Sequence, residues 1–324
     1  MTPSPPLIDL HRHLEGSIRP QTVLELAEQF GSLLPRTLDE LRPLVQVTTP
    51  EPDLMAFIAK IDAAASVLGD LDACSRIAYE AVEDASRESV AYLELRFTPL
   101  YIAASHHLDP HGVVEAVSDG VARGERDFGV RVPLIGILNR TYGPAIALRE
   151  LEILLAHRER FVALDLAGDE ARFPGDLFVD HFRRGRDAGW GITVHAGEAA
   201  GARGIWQAVI ELGATRIGHG VAAKDDPLLM DFLAERRIGL ELNLTSNLQT
   251  STVPDLPSHP LRAFLRHGIL ATINTDDPSV SGITLPYEIE EAAPAAVLTS
   301  AEIRRAQENA VAIAFVDPLE GMTQ

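Results

Sequence analysis

Short apolar runs alternate with amphipathic stretches along the 324 residues. The runs at 7–13, 90–97, 132–138, 161–168, 191–197, 215–220, 238–247 and 269–277 are rich in Val, Ile and Leu. They do not alternate strictly with polar residues, which predicts strands buried on both faces. Helical patterns fill the gaps. Residues 110–126 place Val113, Val114, Ala116 and Val117 on one face, with Val121 a turn further on. Residues 144–158 carry Leu148, Leu151, Leu154 and Leu155 and open on Pro144, which a first helical turn tolerates. Further helices are predicted at 174–188, 204–212, 227–236 and 260–267, and Gly189, Gly213 and Gly268 follow three of these as C-caps. Eight strands alternating with helices predict an α/β fold of the (β/α)8 TIM-barrel type.

The stretch between the first two strands, 18–88, is too long for one helix and predicts extra helices inserted there. Within it, 51–68 is amphipathic through Pro52, Leu54, Met55, Phe57, Ile58 and Ile61. It reads either as a helix of the outer ring or as a lid that turns Leu54, Phe57 and Ile58 towards a ligand. Residues 298–315 read as a final helix. No linker, repeat or low-complexity tract interrupts the chain, so 1–324 is expected to form a single domain.

Composition narrows the function. With 46% hydrophobic residues the chain can bury a large core. A net charge of -19, from 28 basic and 47 acidic residues, argues against nucleic-acid or acidic-membrane partners, which need a basic face. No run reaches ~18 apolar residues, and Met1 to Pro6 show no basic segment leading into an apolar one. A soluble, cytoplasmic protein is expected. Cys74 is the single cysteine. It excludes an internal disulfide and a cysteine-based zinc site, and reads as a buried thiol, because no activating base lies near it.

Candidate chemistry gathers where the apolar runs end. His11-Arg12-His13 closes the first run, and two histidines two apart on a strand share one face. Imidazole is a common metal ligand at neutral pH, although a surface pair on a strand end is the alternative. His195 in Val194-His195-Ala196-Gly197-Glu198, His219 in Gly218-His219-Gly220, and Asp276-Asp277 before Pro278 stand at similar breaks. In a barrel all strand ends meet at one mouth. Four of these side chains would make a nitrogen-rich site with one carboxylate, suited to zinc or a similar ion, with a further position left for water. Adjacent on a strand, Asp276 and Asp277 would diverge, one to metal and one to substrate or water. Glu198 lies in the turn past Gly197 as a general acid, or else as a carboxylate at a helix start. His219 between two glycines reads as a base or a water-orienting group. The two lysines, Lys60 and Lys224, end no strand, so a bridging lysine carbamate and a second metal are not expected. His106, His107, His111, His157, His181, His259 and His267 read as solvated or structural.

Together these residues resemble the adenosine deaminase family of the metal-dependent amidohydrolase superfamily, over about residues 7 to 315. The likeness rests on Asp9-Leu10-His11-Arg12-His13-Leu14-Glu15-Gly16-Ser17-Ile18-Arg19-Pro20, Leu164-Asp165-Leu166-Ala167-Gly168-Asp169-Glu170, the His195 and His219 segments, Leu244-Thr245-Ser246-Asn247 and Asn274-Thr275-Asp276-Asp277-Pro278. The resemblance implies one Zn2+ held by His11, His13, His195 and Asp276. It implies that Glu198 protonates purine N1 and that water activated at the zinc attacks C6. His219 would orient that water and take or hold its proton. His13, Glu15, Gly168 and Asp277 would meet the substrate, Asp277 at N7 and the Gly168 N–H at N3. Ammonia leaves and a 6-oxopurine remains. The expected substrates are adenosine and 2′-deoxyadenosine, within purine salvage.

One residue departs from the family pattern. Glu15 stands where many members carry Asp against the ribose 5′-hydroxyl. Its extra methylene keeps open aminodeoxyfutalosine, adenine or an N6-substituted adenine as the substrate. Oligomeric state is not legible in the chain.

Overall fold

The structure is a computed structural model describing residues 7–320; Met1 to Pro6, read above for a leader, lie outside the described residues. Eight strands form the framework: β1 Leu7–His13, β2 Val90–Phe97, β3 Leu134–Asn139, β4 Phe161–Ala167, β5 Gly191–Ala196, β6 Arg216–His219, β7 Gly239–Leu242 and β8 Leu270–Ile273. They pair in parallel in chain order, with helices between them. The circle closes from β8 back to β1 through a bridge between Arg12 and Asp276. There the His13 N–H donates to the Asp276 carbonyl at 2.8 Å, and the Asp276 N–H donates to the His11 carbonyl at 2.7 Å. This is the predicted (β/α)8 barrel.

Strand β1 carries apolar and charged residues together. Ile8 and Leu10 pack with Tyr92 against Ala310 and its neighbours on the helix Ser300–Ile313. The pairing with β2 shifts register between Asp9 and Arg12, so Asp9 bonds Arg12 and Thr275 while His11 and His13 meet at their Nε2 atoms. Charged residues stand on other strands too. Glu94, Arg96, Asp165 and Glu241 are completely buried, and each is hydrogen-bonded, as burial demands.

The insertion after β1 forms the helices Pro20–Gln29, Leu38–Val45, Leu54–Ala65 and Leu71–Arg87. Thr37, Asp53 and Asp70 each cap one of the last three by accepting a backbone N–H three residues on. Two predicted strands end early. The run 238–247 is strand only to Leu242, and Leu244–Gln249 is helical, because the buried Glu288 carboxylate accepts the Leu244 and Thr245 N–H groups at its start. The run 269–277 leaves the sheet after Ile273, and Asp276 takes a left-handed φ of 63°. Predicted helix 174–188 is helical from Val179, behind a short turn at Gly175–Phe178.

Candidate active site

His11 and His13 on β1, His195 on β5 and Asp276 beyond β8 meet at the barrel mouth, their ligand atoms all within 4.8 Å of one another. His13 Nε2 lies 3.3 Å from His11 Nε2 and 3.1 Å from His195 Nε2. Asp276 Oδ1 is 3.2 Å from His11 Nε2 and 3.3 Å from His13 Nε2. The far nitrogens are held from behind: His11 Nδ1 by Glu241 Oε2 at 2.7 Å, and His195 Nδ1 by Asp165 Oδ2 at 3.0 Å. A carboxylate only accepts, so those Nδ1 atoms carry the proton and the Nε2 lone pairs of both rings point at the shared centre. Lone pairs and a carboxylate oxygen crowded at one point need a cation between them. Around them, Arg96 pairs with Asp165 and Glu241, and Arg216 with Glu94 and Glu241. The donor set, three imidazoles and one carboxylate, fits a divalent metal ion.

Arg96 braces two of these supports at once, donating from Nη1 to Asp165 at 2.9 Å and from Nη2 to Glu241 at 2.8 Å. Arg216 Nε and Thr193 Oγ1 donate to the other Glu241 oxygen at 2.7 and 2.9 Å. Burial alone would raise the Glu241 carboxyl, but Arg96 and Arg216 outweigh it and hold it well below the usual range. The sequence reading gave Arg96, Glu241 and Arg216 no role. Their signal was a charged residue inside an apolar run, as in Leu93-Glu94-Leu95-Arg96-Phe97 and Leu240-Glu241-Leu242.

Glu198, His219 and Asp277 reach the same mouth. Glu198 sits in the turn after β5, before the helix Ala202–Gln207 begins. The turn is fixed by the Glu170 carboxylate, which accepts the N–H groups of Gly197, Glu198, Ala199 and Ala200 at 2.7 to 3.2 Å. Burial, with Asp276 and Glu170 nearby, pushes the Glu198 carboxyl up to about 8. His219 Nε2 is 3.6 Å from Glu198 Oε2 and 3.8 Å from Asp276 Oδ2, and burial pushes His219 down to about 3. The backbone at His219 is left-handed, φ 62°, as at Asp276; non-glycine residues rarely adopt this, and such strain clusters at functional sites. Asp277 Oδ1 is buried without a partner among the described residues. Burial, then the charges of Asp276 and Glu15, raise this carboxyl well above the usual range. Gly16 is needed here, since a methyl group on it would collide with the Asp277 carboxyl. With Asp276 off the strand, both aspartates line one cleft rather than opposite faces.

That cleft encloses about 730 Å³, open solvent at its mouth included. Gly168 and Glu15 both line it. Glu15 Oε1 accepts the Thr98 N–H at 2.8 Å, its Oε2 has no partner among the described residues, and burial pushes the carboxyl up to about 7. The helix Leu54–Ala65 lends Leu54, Phe57, Ile58 and Ile61 to the lining of the cleft. Tyr101 Oη donates to Asp62 at 2.6 Å and ties this helix to the wall. Lys60 pairs with Glu51 at 3.1 Å, away from the metal ligands. Cys74 is buried, and its thiol is pushed up to about 12, unfit as a nucleophile. His111 and His157 meet at 3.0 Å on the exposed surface, and His181 bonds the Pro144 carbonyl.

A family model described as adenosine deaminase matches residues 6–321. The chain belongs to the adenosine deaminase family. Its members are hydrolases acting on C–N bonds. Among adenosine deaminase relatives, that of Serratia proteamaculans (strain 568) is 60% identical over 319 residues, covering 98% of this chain and 96% of its own. Among solved structures, the adenine deaminase from Arthrobacter aurescens superposes with a TM-score of 0.90 at 28% identity, over 97% of this chain and 94% of that one. An amidohydrolase from Burkhoderia ambifaria, with bound Zn, gives 0.89 at 28% identity, over 96% and 86%. No helix among the described residues is long and apolar enough to cross a membrane.

Proposed function

We propose that this adenosine deaminase family member hydrolyses adenosine and 2′-deoxyadenosine to inosine and 2′-deoxyinosine, releasing ammonia, with one zinc ion held by His11, His13, His195 and Asp276. The observation that carries the reading is the convergence of those four ligand atoms beside Glu198, whose carboxyl stays protonated at neutral pH. Full-length identity of 60% to a named adenosine deaminase supports the substrate over adenine, for which the similar solved enzyme stands at 28%. Zinc bound there would lower the pKa of a water towards ~7 and so supply a nucleophile at neutral pH.

The chain's own groups do the rest. Glu198 gives its proton to purine N1, which draws electrons from C6. Burial raises the Asp277 carboxyl well above the usual range, and in its acid form it donates from the unpartnered Oδ1 to N7. The Gly168 N–H meets N3. The free Glu15 Oε2 accepts from the ribose 5′-hydroxyl. Leu54, Phe57, Ile58 and Ile61 shield the base from water, and His219 orients the attacking oxygen. The reading carries with it the purine-salvage role and the cytoplasmic setting expected from the sequence.

Two results test it. A raised carboxylate pKa keeps the acid form up to its folded value, so kcat should hold through neutrality and fall as pH rises through about 8. A kcat profile already falling at pH 5 would remove Glu198 from the acid role. The described residues lining the cleft include no Lys or Arg, while Glu15 and Asp277 are among them. A 5′-phosphate would be desolvated there without a cation. AMP should therefore show kcat/KM at least about 10³-fold below adenosine in side-by-side steady-state assays.

A further inference from the structure

His259, read from sequence as structural, is buried beside the site at the end of a hydrogen-bond chain that reaches His219. Its fixed point is a backbone group. The Leu261 N–H donates to His259 Nδ1 at 3.2 Å, and an amide N–H can only donate. Burial pushes His259 down to about 3, so its ring is neutral at pH 7 and carries its single proton on Nε2. That Nε2–H donates to Asn247 Oδ1 at 3.2 Å. The Asn247 carboxamide is thereby oriented, since a flipped amide would set two donors against each other. Its Nδ2 donates to His219 Nδ1 at 2.9 Å, and Asn243 Nδ2 approaches the same nitrogen at 3.3 Å. A proton on His219 Nδ1 would face both of these donors.

We infer that the Leu261–His259–Asn247 chain fixes His219 as the neutral Nε2–H tautomer, so that His219 presents a hydrogen-bond donor, not a base, to the attacking oxygen. Nε2 is the nitrogen that faces Glu198 and Asp276. The donor steadies negative charge on that oxygen and cannot collect a proton from it. His259 is then a positioning residue that touches no substrate and acts through Asn247. The inference narrows the role of His219 within the proposed deamination, and rests on that reading for its catalytic meaning.

The test is nitrogen NMR on zinc-loaded protein carrying nitrogen-15-labelled histidine, with the His219→Gln spectrum identifying the His219 signals. A protonated Nε2 and an unprotonated Nδ1 are expected in the wild type; a protonated Nδ1 overturns the inference. This spectrum is read without substrate, so failure to deaminate adenosine would be a separate result. His259→Gln keeps a donor towards Asn247 Oδ1, whereas His259→Leu removes it. Where adenosine is turned over, the Leu variant should lose about tenfold in kcat with KM little changed, and the Gln variant should stay within about twofold of wild type. Equal losses in both variants overturn the positioning role.

Discussion

Glu198→Gln should lower kcat by about 10²–10⁴-fold while the protein still binds purine nucleosides. Glutamine has the shape of the neutral acid and packs in the same turn, which Glu170 holds through backbone N–H groups that the substitution leaves in place. What it lacks is an acidic proton for N1. Because the wild-type carboxyl is raised to about 8, the side chain being replaced is uncharged at pH 7, so the exchange strands no buried charge. Loss of absorbance in the adenine band gives kcat, and calorimetric titration with inosine gives binding. Full turnover by the variant would exclude Glu198 as the acid.

Removing the metal should abolish turnover and also soften the fold. Without a cation the Nε2 atoms of His11, His13 and His195 and the Asp276 carboxylate are packed against one another at 3.1 to 3.3 Å. Chelation followed by desalting should leave inactive protein, restored by an equimolar zinc addition. Zinc at 100 times its dissociation constant should stabilise the folded state by about 2.7 kcal/mol through mass action. Calorimetric melting of the two forms measures this as a higher Tm for the loaded protein. His195→Ala, which deletes one ligand, should weaken zinc binding by at least about 10²-fold in a chelator competition. Metal-free protein that turned over at the full rate would refute the role of the metal.

The barrel was legible because its strands are apolar runs set between helices with clear punctuation: Pro110, Pro144 and Pro227 sit at helix starts, and Gly213 and Gly268 cap helix ends in left-handed conformations. The candidate ligands were legible because His and Asp at strand ends are chemically conspicuous. Other parts were hidden for physical reasons. Periodicity cannot show that β8 stops at Ile273, because the apolar pattern gives no sign of the left-handed turn at Asp276. Arg96, Glu241 and Asp165 act from behind the ligands, and Arg96 stands 69 residues from Asp165 and 145 from Glu241 in the chain. His259 looked ordinary because its contact with His219 runs through Asn247, and only the tertiary arrangement brings the three together.

The most direct measurement is the conversion of adenosine by the zinc-loaded wild-type protein, followed by loss of the adenine band and by released ammonia. Adenosine and 2′-deoxyadenosine should both be consumed, with ammonia equimolar to the nucleoside lost and adenine turned over far more slowly. Metal-loaded protein that left all three unchanged, or that consumed adenine in preference to the nucleosides, would contradict the proposed function.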